Sequence, residues 1–118
     1  MFTPRRSILM SVAFLCMMVP LVAFADVIGS YSCRGTNPDG SPYDGTVEIA
    51  ENGAGYVVRW TVSGTQTYSG AGLLTDDIFS ASWGSGVVVY RVQADGKLVG
   101  KWLNVSRGEA GTETLTPR

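Results

Sequence analysis

In the segment YRVQADGKLVGKW, Tyr90 to Trp102, two short runs flank an Ala-Asp-Gly turn, and the aromatic residues lie opposite in parity to the basic ones. Successive side chains of a β-strand point to opposite faces, so a charge marks the face that meets water. Arg91 outward puts Val88, Tyr90 and Val92 inward, and Lys101 outward puts Leu98, Gly100 and Trp102 inward. The same test runs along the chain. Arg59 places Tyr56, Val58, Trp60 and Val62 inside, Asp44 and Glu48 place Tyr43, Val47 and Ile49 inside, and Arg34 places Tyr31 and Cys33 inside. Six of the nine aromatic residues beyond position 25 are thereby assigned to one side by charge alone. Tyr68, Phe79 and Trp83 join them by analogy. An open single sheet would leave these rings in water, whereas a sheet closed on itself buries them and has no exposed edge.

Gly, Asn, Asp and Ser punctuate the chain about every ten residues, the spacing of an all-β sandwich or barrel. No stretch has the period of a helix. The expected strands are Val27–Arg34, Pro42–Ala50, Tyr56–Val62, Thr67–Leu74, Ile78–Trp83, Val87–Gln93, Lys97–Val105 and Thr112–Thr116. Tight connections make neighbouring strands antiparallel, so the expected fold is all-β: one eight-stranded antiparallel up-and-down barrel. A membrane barrel would face apolar residues outward on strands of ~9–11 residues. Here the strands are shorter and the outward positions carry Arg, Lys, Glu, Ser and Thr, which predicts a soluble barrel. TVEIAENGAGYVVRW, YSGAGLLTDDIFSASW and VVVYRVQADGKLVGKW echo one another as strand, turn, strand, ending in Trp60, Trp83 and Trp102.

The first 25 residues have the form of a cleaved secretory signal peptide. Arg5 and Arg6 form a positive start, Ile8 to Phe24 is mostly apolar, and Ala23-Phe24-Ala25 supplies the small-x-small cleavage site. Residues 26–118 then form the single domain, expected to be periplasmic or secreted. It holds seven Lys or Arg against ten Asp or Glu, a net charge of about −3. That balance, with the basic residues scattered singly, argues against nucleic acid and anionic membrane surfaces as partners. Cys33 is the one thiol left, so no intramolecular disulfide forms; a small buried apolar side chain is the expected role, and a reactive or chain-linking thiol is the alternative.

Catalytic chemistry has little to work with. The chain has no histidine, no nucleophile–base pair and no Gly-rich phosphate loop, so no enzyme activity, metal or cofactor is expected. Asp76-Asp77 lacks the alternating ligand series of a calcium loop and reads as a solvated turn. Glu113 stands out: in GTETLTP it shares a face with Leu115, so an inward Leu115 brings an inward carboxylate. Two readings stay open for it: a partly exposed glutamate accepting structural hydrogen bonds at a barrel mouth, and a ligand-orienting group among aromatic rings. Eight strands enclose a space that side chains just fill, or that holds one small ligand. A domain this small has little interior to spare, and the small side chains of Ser69-Gly70-Ala71-Gly72 admit bulky rings from across the barrel. A filled interior is the expectation. A ligand, if bound inside, would meet Tyr31, Tyr43, Trp60, Trp83, Tyr90, Trp102 and Glu113.

GSYSCRGTNPDGSPYDGTVEI, GYVVRW, VVVYRVQADGKLVGKW and GTETL together resemble a group of small exported bacterial proteins, some labelled fibronectin-binding. The resemblance spans nearly all of Gly29 to Leu115. It implies a calycin-type barrel, the architecture of lipocalins and avidin, and a host-matrix or surface partner. YSCRG at Tyr31–Gly35, and Ser80–Ser82 with Tyr90, are similar to fragments of periplasmic inhibitors of chicken-type lysozyme. That likeness implies a cleft-plugging loop over Ser82 to Gly86, although Trp83 separates the serine from its glycine. The expectation that unites these readings is an exported, non-enzymatic barrel with a binding or structural role in the cell envelope. A carrier of a small apolar ligand and a protein-binding module are its two alternatives.

Overall fold

A computed structural model describes residues 26–118. The expected signal peptide, with Cys16, lies outside the described residues. Eight strands follow one another: β1 (Gly29–Thr36), β2 (Pro42–Asn52), β3 (Gly55–Val62), β4 (Gln66–Thr75), β5 (Ile78–Trp83), β6 (Gly86–Val92), β7 (Leu98–Asn104) and β8 (Glu109–Pro117). Each pairs antiparallel with the next, and β8 pairs with β1 through Tyr31↔Pro117 to Thr36↔Thr112, so the sheet closes into a barrel. The expected up-and-down topology is the observed one. Its turns take the residues their geometry demands: Gly40, Gly53, Gly64, Gly84, Gly96 and Gly108 all have positive φ, a region open to glycine without strain.

Strand limits differ from expectation mainly at the two ends of the chain, and β2, β4 and β8, at 11, 10 and 9 residues, are longer than expected. β8 starts at Glu109, ahead of the expected Thr112, because Gly108 makes the turn early and lets Glu109 and Ala110 pair with Asn104 and Leu103. β1 starts at Gly29, after Val27. Val27 leaves the sheet and is fully buried, and its carbonyl accepts a hydrogen bond from Tyr31 Oη at 2.7 Å.

The odd-numbered strands all run toward one end of the barrel, the upper end, where the 37–41, 63–65, 84–85 and 105–108 turns lie. The lower end is filled. Phe79, Tyr90, Leu98 and Leu115 are wholly buried there. Phe79 stacks on Tyr90 at 6.2 Å and meets Tyr56 edge-on at 5.5 Å. Gly72 is what gives the Phe79 ring its place, since a Cβ at Gly72 would run into it. Replacing Gly72 with alanine is therefore expected to destabilise the barrel by ~1–3 kcal/mol through overpacking, read as a lower urea midpoint; an unchanged midpoint would show that the ring has room to move. Gly70 serves a different close approach, lying against the Ser82 carbonyl where the β4–β5 ladder gives out. There Ser82 Oγ accepts from the Ala71 N–H at 3.3 Å.

Charge read sidedness correctly. Arg34, Asp44, Glu48, Arg59, Arg91 and Lys101 are exposed, and the residues alternating with them face the interior. The outer wall is less uniformly hydrophilic than expected, because Val57, Leu73, Val87, Val89, Val99 and Leu103 also lie on it. β-Branched side chains suit a pleated, half-buried surface whichever way they point, and exposed apolar side chains are ordinary on folded proteins. Two surface ion pairs bridge neighbouring strands, Arg34–Asp44 and Arg91–Asp77; exposed pairs of this kind contribute ~0–1 kcal/mol. Asp77 of the expected solvated turn is thus tied to Arg91. Among the described residues no helix is long and apolar enough to cross a membrane.

Candidate functional site

The three tryptophans of the chain sit on β3, β5 and β7, which all ascend, and each falls on the upper half of its strand. Trp83 ends β5, while Trp60 and Trp102 stand two residues before the ends of theirs. This is the physical content of the internal echo: a lower turn followed by an ascending strand that delivers an indole to the upper mouth. Trp83 faces Gly86, Trp102 faces Gly111 and Tyr43 faces Gly35 across their ladders. A Cβ on any of these glycines would run into the facing ring. The missing side chains let the rings lie against the wall instead of across the middle.

The result is a cup open at the upper end, with a volume of about 130 Å³. An apolar cavity of ~150 Å³ is large enough to admit benzene. Tyr43, Trp60, Val62, Tyr68, Trp83, Val88, Trp102 and Glu113 line it, with Asn37, Ser63 and Gln66 at the rim. Tyr68 stands edge-on to Trp83 at 5.4 Å and 71°, and Trp83 stands edge-on to Trp102 at 6.0 Å and 78°. Trp83 thus stands in a corner of rings, near perpendicular to both Tyr68 and Trp102. The expectation of a filled interior holds at the lower end only, because the glycines opposite the upper rings hold them back from the centre.

Glu113 lies at the floor of this cup, 5% exposed. It is buried where the structural reading expected partial exposure, and it accepts the hydrogen bonds that reading expected. Tyr43 Oη donates to Oε1 at 2.7 Å, Trp60 Nε1 donates to Oε2 at 3.1 Å, and Tyr90 Oη also donates to Oε2. The Trp60 N–H is shared with Tyr90 Oη at 3.2 Å. These donors come from β2, β3 and β6, so one carboxylate on β8 ties together strands from around the barrel. Every ion pair among the described residues is on the surface, and none involves Glu113. A buried charge is costly unless hydrogen-bonded or paired; this one has hydrogen bonds and no cation.

Burial, and then the adjacent Glu113 charge, pushes the Tyr90 phenol well above its ordinary range. The same two causes, in the same order, raise Tyr43 and the Cys33 thiol. Cys33 is 3% exposed, and burial beside the Glu113 charge keeps its proton on, so the thiol is poorly nucleophilic. The Trp102 indole N–H is buried and has no hydrogen-bond partner.

Of the seven residues expected to meet a ligand, Tyr43, Trp60, Trp83, Trp102 and Glu113 line the cup together. Tyr90 lies beneath it, reaching it only through its hydroxyl on Glu113. Tyr31 is corrected: it stands near the start of ascending β1, at the closed lower end, with its hydroxyl on Val27. Alternation sorts inward from outward but says nothing about height along the axis. Sequence reasoning left out Tyr68, Val62, Val88 and Gln66. Tyr68 had a usable signal, since the β3–β4 register sets it directly opposite Trp60.

The loop expected from the lysozyme-inhibitor likeness is a two-residue turn, Gly84-Ser85, between Trp83 and Gly86. The Ser82 hydroxyl is engaged with Ala71. Among the described residues no group of three or more Cys, Asp or Glu side chains converges as a metal site would require. The cup presents aromatic and apolar walls around a carboxylate acceptor at its floor.

The chain matches no protein-family model and no curated protein. Among solved structures it is similar to redesigned β-barrels. One, mFAP0 bound to DFHBI, shares 20% identity over 76% of this chain and 97% of that chain, with a TM-score of 0.52. Another, mFAP1 bound to DFHBI, shares 19% over 76% and 94%, also at 0.52. A third redesigned barrel shares 22% over 78% and 91%, again at 0.52. At these identities the likeness shows the barrel fold.

Proposed function

We propose that this protein is an exported, non-enzymatic binding protein that takes a small molecule into the open end of its barrel. The observation that carries the reading is the uneven interior: aromatic packing fills the lower end, while glycines hold the upper rings apart around a buried carboxylate. A domain of about 90 residues that leaves interior space empty forgoes stabilisation it can ill spare. Function accounts for that cost. Two of the similar barrels are described as bound to DFHBI, which supports a barrel of this form as a small-molecule host. Export rests on the signal-peptide pattern of residues 1–25 and the likeness to small exported bacterial barrels.

All three tryptophans line the cup, so the whole indole emission reports on its occupancy. Titration with a panel of small aromatic molecules, DFHBI among them, and of small alkylammonium ions is expected to give saturable changes in that emission for at least one member. Val88 is 2% exposed and faces the cup. Val88→Phe is expected to fill the hollow, weakening any such binding by more than about tenfold, or ~1.4 kcal/mol, at unchanged or higher melting temperature. A panel that leaves the emission unmoved, or a Val88→Phe variant that binds as well as the parent, would refute the reading.

A further inference from the structure

The geometry points to a small organic cation, an alkylammonium group, as the chemistry the cup selects. This rests on the cup being a ligand site and names the class of ligand. Glu113 is the charged side chain in the lining, and its three partners are neutral donors, so the negative charge is solvated by hydrogen bonds but not neutralised. The cations of the wall cannot serve. Arg34, Arg59, Arg91 and Lys101 all project outward, Arg107 of the upper 105–108 turn is outside the lining and pairs with Glu109, and the polar lining groups Asn37, Ser63 and Gln66 are uncharged.

Beside that carboxylate stands the corner formed by Tyr68, Trp83 and Trp102, ring against ring at 71° and 78°. Trp83 and Trp102 pack on Gly86 and Gly111 of the wall, and both line the cup. The face of an aromatic ring is negative and attracts a cation, most strongly for tryptophan, and aromatic cages are used to hold quaternary ammonium groups. An alkylammonium group has an apolar skin that suits the indoles and a charge that suits the carboxylate. The domain's net charge of about −3, from seven basic and ten acidic residues, favours the approach of a cation. A neutral ring would satisfy the walls alone, and an anion would meet Glu113 directly.

The test compares choline with its uncharged carbon isostere dimethylbutanol, which has the same shape, by calorimetry and tryptophan emission on the purified protein. Choline is expected to bind at least about tenfold more tightly, with affinity falling as salt rises. Glu113→Gln is expected to remove most of that preference, and Trp83→Leu, which leaves the carboxylate network intact, to reduce it as well. Equal binding of the two probes, or tighter binding of the alcohol, would overturn the cation assignment while leaving the cup as a ligand site. Binding of neither, with binding of some neutral aromatic compound, would overturn it too. Failure of every probe would overturn both this assignment and the small-molecule reading beneath it.

Discussion

Glu113→Leu is expected to lower the stability of the barrel by about 3–5 kcal/mol, because it leaves buried donors without an acceptor at ~1–3 kcal/mol each. Tyr43 Oη, Trp60 Nε1 and Tyr90 Oη all point at this one carboxylate. Only the Trp60 N–H has a second acceptor at hand, Tyr90 Oη at 3.2 Å. For a domain of this size the melting temperature should fall by more than about 12 °C. Leucine fills the volume without answering the hydrogen bonds, so the loss is electrostatic and not a cavity effect. Tyr43→Phe added to Glu113→Leu should recover part of it, since that removes one orphaned donor, whereas Tyr43→Phe alone should cost ~1–2 kcal/mol. Thermal unfolding of the four proteins checks the sign. A leucine variant as stable as the parent would mean that water entering by the mouth satisfies these groups without help.

Raising the pH should unfold the protein well before its surface alone would require it. Burial holds the Tyr90 phenol far above its ordinary value of 10.0 and raises Cys33 from 9.0, with the Glu113 charge adding to both. A group whose folded pKa is raised gives stability that is fully present below its unfolded pKa and is lost as pH climbs toward the folded one. The loss therefore begins near pH 9 for Cys33 and near pH 10 for Tyr90. Each such group removes about 1.4 kcal/mol per pH unit, so the pair removes roughly 3 kcal/mol per unit above about pH 10. Tyr43 is raised by the same causes, and its partly buried phenol adds a smaller share. The urea midpoint should fall steeply across this range, and a part of the tyrosinate absorbance should appear only with unfolding. Tyr90→Phe should flatten the slope by about one group's worth. A midpoint that is level from pH 9 to pH 11 would show that the phenol ionises in place.

How far the amino-acid order reached can be judged residue by residue. Leu115 inward implied Glu113 inward, and both are buried. Arg91 and Lys101 predicted that Tyr90 and Trp102 face the interior, and they do. Tyr31 passed the same test of parity and still belongs to the opposite end of the barrel from Trp102. Val27, expected in a strand, became the plug at the lower end. Parity is a property of one strand, whereas height depends on how eight strands are staggered around the closure, which no single strand encodes.

Sidedness, strand number and antiparallel order were thus determined locally, by the two-residue period of strands and the glycines in their turns. The hollow was not. It exists because Gly35, Gly86 and Gly111 come to face Tyr43, Trp83 and Trp102 across ladders, and because donors from three distant strands converge on one carboxylate. Pairings of that kind are settled only when the sheet closes and its register is set, since packing depends on which side chains meet and not on which way each one points.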